Sequence, residues 1–115
     1  MNTEQQIQSI EMSMEQAKKS IAARDSFVKL LKNRDFDKLI VKGYFEDEAS
    51  KMVLTKALPD MQDAESQEAI MKSIDAIGHL RQHFIAIKQL GDTAERTLKN
   101  DEATREELLQ EQLGE

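Results

Sequence analysis

Residues 7–31 read IQSIEMSMEQAKKSIAARDSFVKLL, and residues 77–98 read IGHLRQHFIAIKQLGDTAERTL. In both segments apolar residues recur at alternating intervals of three and four, a spacing that places a narrow apolar stripe along one side of an α-helix. Arg24 interrupts the first stripe and Gly91 interrupts the second. A stripe of this kind is stabilising only when another helix covers it. The sequence therefore predicts two long helices that pack against each other.

We expect the two helices to cover about residues 4–32 and 63–98 and to form an antiparallel, coiled-coil-like hairpin of the all-α class. The chain has room for one such domain, residues 1–100, followed by an acidic C-terminal helix or tail, residues 101–115. The residues predicted to make helix–helix protein contacts are Ile7, Ile10, Met14, Ile21, Val28, Leu31, Ile77, Leu80, Phe84, Ile87, Leu108 and Leu109.

Capping signals indicate where these helices begin. Thr3 and Gln6 have the form of a capping box at the start of the first helix. Asn33 offers a side-chain oxygen that can cap a helix in the connection, and Asp60 or Asp63 can do the same for the second long helix.

Three sites in the chain predict interruptions. Gly43 should kink the connection into two short helices, and Gly91 followed by Asp92 should break or kink the second long helix. Asn100 and Asp101 repeat that signal before a final acidic helix over residues 103–113. An alternative for the connection is a β-hairpin over residues 37–56, which is rich in residues that favour strands. The molecule would then be a prefoldin-like hairpin with a β tip.

Composition and charge restrict the class of protein. A chain with 33% charged residues, one Pro and no Trp is too polar for a membrane span and too periodic for disorder. Residues 18–42 hold eight basic side chains against three acidic ones, whereas residues 101–115 hold six acidic ones against Arg105. Such alternating blocks suit ordered packing between copies or ordinary solvated helix faces.

Few residues in this sequence are candidates for metal binding or catalysis. His79 and His83 lie four apart on a helix, a spacing that allows both to reach one metal ion, and Asp75 lies one turn earlier on the same side. They are weak metal candidates, because the glutamate that completes the zinc-protease signature is absent. No phosphate-binding glycine loop or nucleophile motif is visible, so we expect no catalytic residues, no cofactor and no enzymatic activity.

The basic region does not favour direct nucleic-acid binding. Its lysines and arginines are diluted by Asp25, Asp35 and Asp37, and no aromatic platform accompanies them. The chain has no Cys, and its polar start lacks the apolar core of a signal peptide. We therefore expect a protein that is not secreted and that occupies a reducing compartment.

Three strings within Asp35–Leu109 carry a family resemblance. They are DFDKLIVKGYFEDEA at residues 35–49, IDAIGHLRQ at residues 74–82 and DEATREELL at residues 101–109. Together they resemble small, largely uncharacterised helical proteins encoded by tailed bacteriophages. The resemblance implies a source and a class of protein, and it carries no catalytic residues over to this chain.

The resemblance and the stripes together predict a non-enzymatic structural or assembly protein of a phage particle, located in the virion or in the host bacterial cytoplasm. Its expected partners are further copies of itself or other phage structural proteins, with no membrane contact. Apolar side chains outside the main stripes favour such association: Leu30, Phe45, Ile85, Leu90, Leu108 and Leu109. The alternatives are a small phage protein that inhibits or redirects a host protein, and a prefoldin-like chaperone or scaffold.

Overall fold

The computed structural model describes residues 2–114, and nearly all of them are helical. Helix α1 spans Thr3–Leu31 and helix α4 spans Ala64–Gly114. The connection between them contains helix α2 (Arg34–Phe36), a π-helix (Asp37–Glu48), helix α3 (Ala49–Lys56) and a 3₁₀ turn (Pro59–Met61). The all-α hairpin predicted from the two apolar stripes is confirmed.

The chain divides into two compact units. Unit 1 comprises the residues up to Phe27 together with those from Ile87 onward, and unit 2 comprises Val28–Ala86. In unit 1, α1 and α4 run antiparallel, because Glu11 pairs with Arg105 whereas Arg24, later in α1, pairs with Asp92, earlier in α4.

Side chains cap the helices close to the predicted positions. The cap of α1 lies one residue earlier than predicted: the backbone N–H of Gln5 donates to Asn2 Oδ1 at 2.8 Å, and the backbone N–H of Asn2 donates to Gln5 Oε1 at 3.2 Å. This pair forms a reciprocal capping box without Thr3 or Gln6. Asn33 caps α2 as predicted, since the N–H of Phe36 donates to its Oδ1 at 2.9 Å.

Asp63, rather than Asp60, caps α4. The backbone N–H of Ser66 donates to Asp63 Oδ2 at 2.9 Å. Hydrogen bonds from the side chain and then the backbone of Ser66 hold the pKa of Asp63 below its usual value, because they stabilise the carboxylate. The charged form of the cap is also the form that the positive end of the helix dipole favours.

The predicted kink at Gly43 is wrong, because the chain passes through this residue as a π-helix. A Cβ atom at Gly43 would lie 2.8 Å from the carbonyl oxygen of Lys38, five residues earlier. Hydrogen bonds in a π-helix join residues five apart, so the missing side chain of Gly43 leaves room for this wider turn. The β-tip alternative is also wrong, since residues 34–56 are helical and residues 2–114 contain no strand.

The predicted breaks in the second long helix are wrong as well. Helix α4 continues through Gly91 and through Asn100 and Asp101 to Gly114. Gly91 is buried, and Asp101 accepts a hydrogen bond from Ser13 Oγ at 2.7 Å. Both residues are therefore contact positions within a continuous helix, and neither acts as a stop signal.

Candidate functional site: helix-packing surfaces of the hairpin

The predicted contact residues lie mainly on the inner side of the hairpin. Ile7 and Ile77 are buried. Ile7 belongs to the buried apolar residues of unit 1, with Ala17 and Ala94, and Ile77 to those of unit 2, with Ile70. Most of the other predicted contact residues are half-buried: Ile10, Met14, Ile21, Val28, Leu80, Phe84, Ile87, Leu108 and Leu109. Leu31, the last residue of α1, remains 42% exposed, so it contributes little to the inner side.

The two residues that interrupt the stripes meet each other in unit 1. A Cβ atom on Gly91 would lie only 2.2 Å from the Cβ of Arg24, far inside van der Waals contact. Gly91 therefore allows α1 and α4 to approach closely at the place where the Arg24 side chain crosses α4. The side chain of Arg24 is consequently only 12% exposed.

Carboxylates surround the Arg24 guanidinium. Nη1 donates to Asp92 Oδ1 at 3.1 Å and to Glu95 Oε2 at 3.3 Å. Nη2 donates to Asp25 Oδ1 at 3.0 Å and to Glu95 Oε1 at 3.3 Å. The backbone carbonyl of Gly91 accepts a further hydrogen bond from Nη1 at 3.4 Å. A planar guanidinium can satisfy several acceptors at once, so one arginine fixes the register of both helices.

These contacts shift the pKa values of the charged groups around Arg24. Glu95 and then Asp25 raise the pKa of Arg24 above its usual value. Lys88 and then Arg24 lower the pKa of Asp92, and Arg24 lowers the pKa of Glu95. All of these groups are therefore held in their charged forms, as expected for a structural ion-pair network.

The C-terminal segment packs on α1 of the same chain. Arg105 Nε donates to Glu11 Oε1 at 3.0 Å, and Asp101 contacts Ser13. Leu108 and Leu109 are half-buried. The inner side of this segment therefore has contacts within unit 1. The antiparallel register explains this, because it places the segment beside the first turns of α1.

An aromatic cluster organises unit 2 around Phe84. The Phe36 ring meets Phe84 edge-on with a centroid separation of 5.8 Å, and the Phe45 ring lies 6.3 Å from Phe84. Tyr44 extends the cluster, 6.0 Å from Phe45. Edge-to-face aromatic pairs at these separations are attractive beyond the area that they bury. The cluster therefore packs α2 and the π-helix onto α4.

The metal candidates Asp75, His79 and His83 are all exposed on α4. Within residues 2–114, no three His, Asp or Glu side chains come together in a way that could hold a metal ion. The His83 ring lies 5.9 Å from that of Phe84, so it borders the aromatic cluster. In the part of the chain that the structure describes, no helix is both long and apolar enough to cross a membrane.

The two long helices leave a groove on one side of unit 1. It has a volume of about 230 Å³ and is lined by Ser13, Gln16, Ala17, Ser20, Leu90, Thr93, Ala94 and Thr97. Leu90 at this groove is 62% exposed, and Leu30 is also exposed. Among the apolar residues expected outside the stripes, Phe45 and Ile85 are half-buried. Leu90 is therefore the most exposed of the apolar residues expected outside the stripes.

Sequence reasoning located the stripes but missed the Arg24 cluster. It treated Arg24 and Gly91 as unrelated interruptions of the two stripes. The signal it missed is that a long side chain on α1 and a residue without a side chain on α4 lie opposite each other in the antiparallel register. No protein-family model, curated protein or solved structure matches this chain.

Proposed function

We propose that this chain is a non-enzymatic structural or assembly protein of a tailed-phage particle that acts through helix–helix protein contacts. The observation that carries the proposal is the set of large apolar side chains that the hairpin leaves at its surface. Leu113 is 82% exposed, Met12 is 75% exposed and Leu54 is 70% exposed. Burial of such side chains against an apolar partner surface is favourable, so they support association with other proteins.

The described side chains give no competing support to catalysis. The ionised groups with shifted pKa values either cap a helix, as Asp63 does, or pair with one another around Arg24. The phage assignment rests on the resemblance of the three strings within residues 35–109, and the packing role rests on the hairpin and its exposed apolar side chains.

Mass spectrometry of purified particles of the encoding phage tests this function. We expect the chain in many copies per particle, or in assembly intermediates from infected cells if it acts only during assembly. Absence from both, together with early synthesis and co-purification with a single host protein, would overturn the proposal in favour of a host-directed inhibitor. A mature particle and a lysate fraction free of particles provide the matched samples.

A further inference from the structure

The π-helix of unit 2 is unusually long. π-Helical geometry occurs mostly as single turns inserted into α-helices, and such turns are frequent at functional sites. Here the geometry extends over Asp37–Glu48, with α2 before it and α3 after it. Because the local preference of a chain favours the α-helix, contacts with the rest of unit 2 must stabilise this segment in its wider form.

Two aromatic contacts depend on the wide turn. The rings of Phe36 and Phe45 both pack against Phe84, with centroids 5.8 and 6.3 Å from that of Phe84. Phe36 and Phe45 are nine positions apart, which is about two turns of a π-helix at about 4.4 residues per turn. Nine positions make about two and a half turns of an α-helix, so the two rings would then point to opposite sides. The π-helix therefore brings both rings onto one side chain.

Two further contacts join residues five apart. Lys42 Nζ lies 3.1 Å from Asp37 Oδ2, and a Cβ atom at Gly43 would lie 2.8 Å from the carbonyl oxygen of Lys38. Positions five apart diverge by about 140° around an α-helix, where the neighbours are three and four apart. An α-helix would therefore separate Lys42 from Asp37 and would give residue 43 room for a side chain.

The α-helical alternative has an apolar face of its own. Leu39 is 66% exposed in the π-helix. In an α-helix Leu39 and Ile40 would both lie beside Phe36, because positions three and four apart are neighbours. That form would bring Leu39 to the inner side and turn Phe45 to the outer side. Each form therefore covers a large apolar side chain that the other form exposes.

We infer that residues 37–48 form a conformational switch between this π-helix and an α-helix. The Phe45–Phe84 contact and the missing side chain of Gly43 stabilise the π form, and Leu39 replaces Phe45 on the inner side of the α form. A ligand that binds one form more tightly than the other would set the ratio of the two. The inference goes beyond the proposed function and does not depend on it.

The Gly43→Ala variant tests the switch. In the π form the new Cβ would overlap a backbone oxygen, which cannot move aside as the end of a flexible side chain can. In the α form alanine is favoured over glycine. Both effects act in the same direction, so the substitution should shift the ratio of α to π by at least about tenfold. Gly78→Ala is the matched control, because a Cβ atom there meets nothing within 4 Å.

NMR couplings across hydrogen bonds in the isotope-labelled full chain identify the acceptor of each backbone N–H. The N–H of Phe45 donates to the carbonyl of Ile40 in a π-helix, and to that of Val41 in an α-helix. We expect coupling to Ile40 in the wild type and in Gly78→Ala, and coupling to Val41 in Gly43→Ala. Coupling to Val41 in the wild type, or to Ile40 in a folded Gly43→Ala chain, would overturn the inference.

Phe45→Ala keeps the test decisive if Gly43→Ala does not fold. This substitution leaves Gly43 in place and removes a side chain that only the π form covers, so residue 45 should again couple to Val41. Leu39→Ala is its control, because it removes a side chain that is exposed in the π form and should preserve the coupling to Ile40. A Phe45→Ala chain that retains the coupling to Ile40 contradicts the switch. A Phe45→Ala chain that unfolds contradicts it too, because the α form does not need Phe45.

Discussion

Replacing Gly91 with Ala should destabilise the hairpin, although the same change in an ordinary helix stabilises it. In an open helical position Gly→Ala adds about 0.5 to 1 kcal/mol to the free energy of unfolding, because alanine loses less backbone entropy on folding. At residue 91 the new Cβ would lie 2.2 Å from the Cβ of Arg24. Real Cβ contacts need more than 3 Å, so the helices must separate. Overpacking of this kind costs about 1 to 3 kcal/mol.

Gly78→Ala is the matched control, because it makes the same change in α4. A Cβ atom at Gly78 would meet nothing within 4 Å, so this variant should be more stable than the wild type. The two variants should therefore differ by about 1.5 to 4 kcal/mol in the free energy of unfolding. Urea titration followed by circular dichroism at 222 nm measures that difference.

Arg24→Gly provides a rescue test for the same contact. In its background the Gly91→Ala substitution should lose most of its cost, because the facing Cβ is absent, and the two substitutions should be strongly non-additive. Equal stability of the Gly91→Ala and Gly78→Ala variants would refute the reasoning. Additivity of Arg24→Gly and Gly91→Ala would refute it as well.

Three further predictions concern the other contacts. Phe84→Ala should lower the free energy of unfolding by about 2 to 5 kcal/mol, because it empties the aromatic cluster, and an unchanged thermal midpoint would contradict this. Asn33→Ala should cost about 0.5 to 2 kcal/mol through loss of the α2 cap, whereas Asn100→Ala, within α4, should cost less, and urea titration compares them. The folded-state pKa values of Asp92 and Glu95 lie below their usual 3.8 and 4.5. The two carboxylates therefore stabilise the folded protein fully above about pH 5, and this contribution to the free energy of unfolding is lost as the pH falls through the lowered pKa values. Arg24→Gln should weaken this acid dependence of the urea midpoint, and an identical pH profile in both proteins would count against it.

The apolar stripes were predictable because their spacing reflects local helix geometry. Ile7 and Ile77 occupy stripe positions in the sequence, and both are buried. The starts of the two long helices were predictable to within a residue, since capping depends on side chains that are near in sequence, as at Asp63. The end of α4 was not, because the helix continues to Gly114 instead of stopping near residue 98.

The continuity of α4 was not predictable by the same local rules. A glycine followed by an aspartate normally indicates a helix end, whereas at residue 91 the glycine is required by the close approach of Arg24 from the other helix. The π-helix around Gly43 was missed for a related reason, because apolar periodicity in a short segment does not distinguish a wide helical turn from a kink. Both errors concern glycines whose role depends on atoms elsewhere in the fold.

The fit between Arg24 and Gly91 also constrains how the sequence can change over generations. A substitution of Gly91 alone introduces an overlap, and removal of Arg24 alone leaves Asp92 and Glu95 without their shared cation. Each single step passes through a less stable protein, so the two positions should vary together when relatives are compared. A relative with a larger residue at position 91 should carry a glycine at position 24, and the carboxylates at 92 and 95 should then be free to drift.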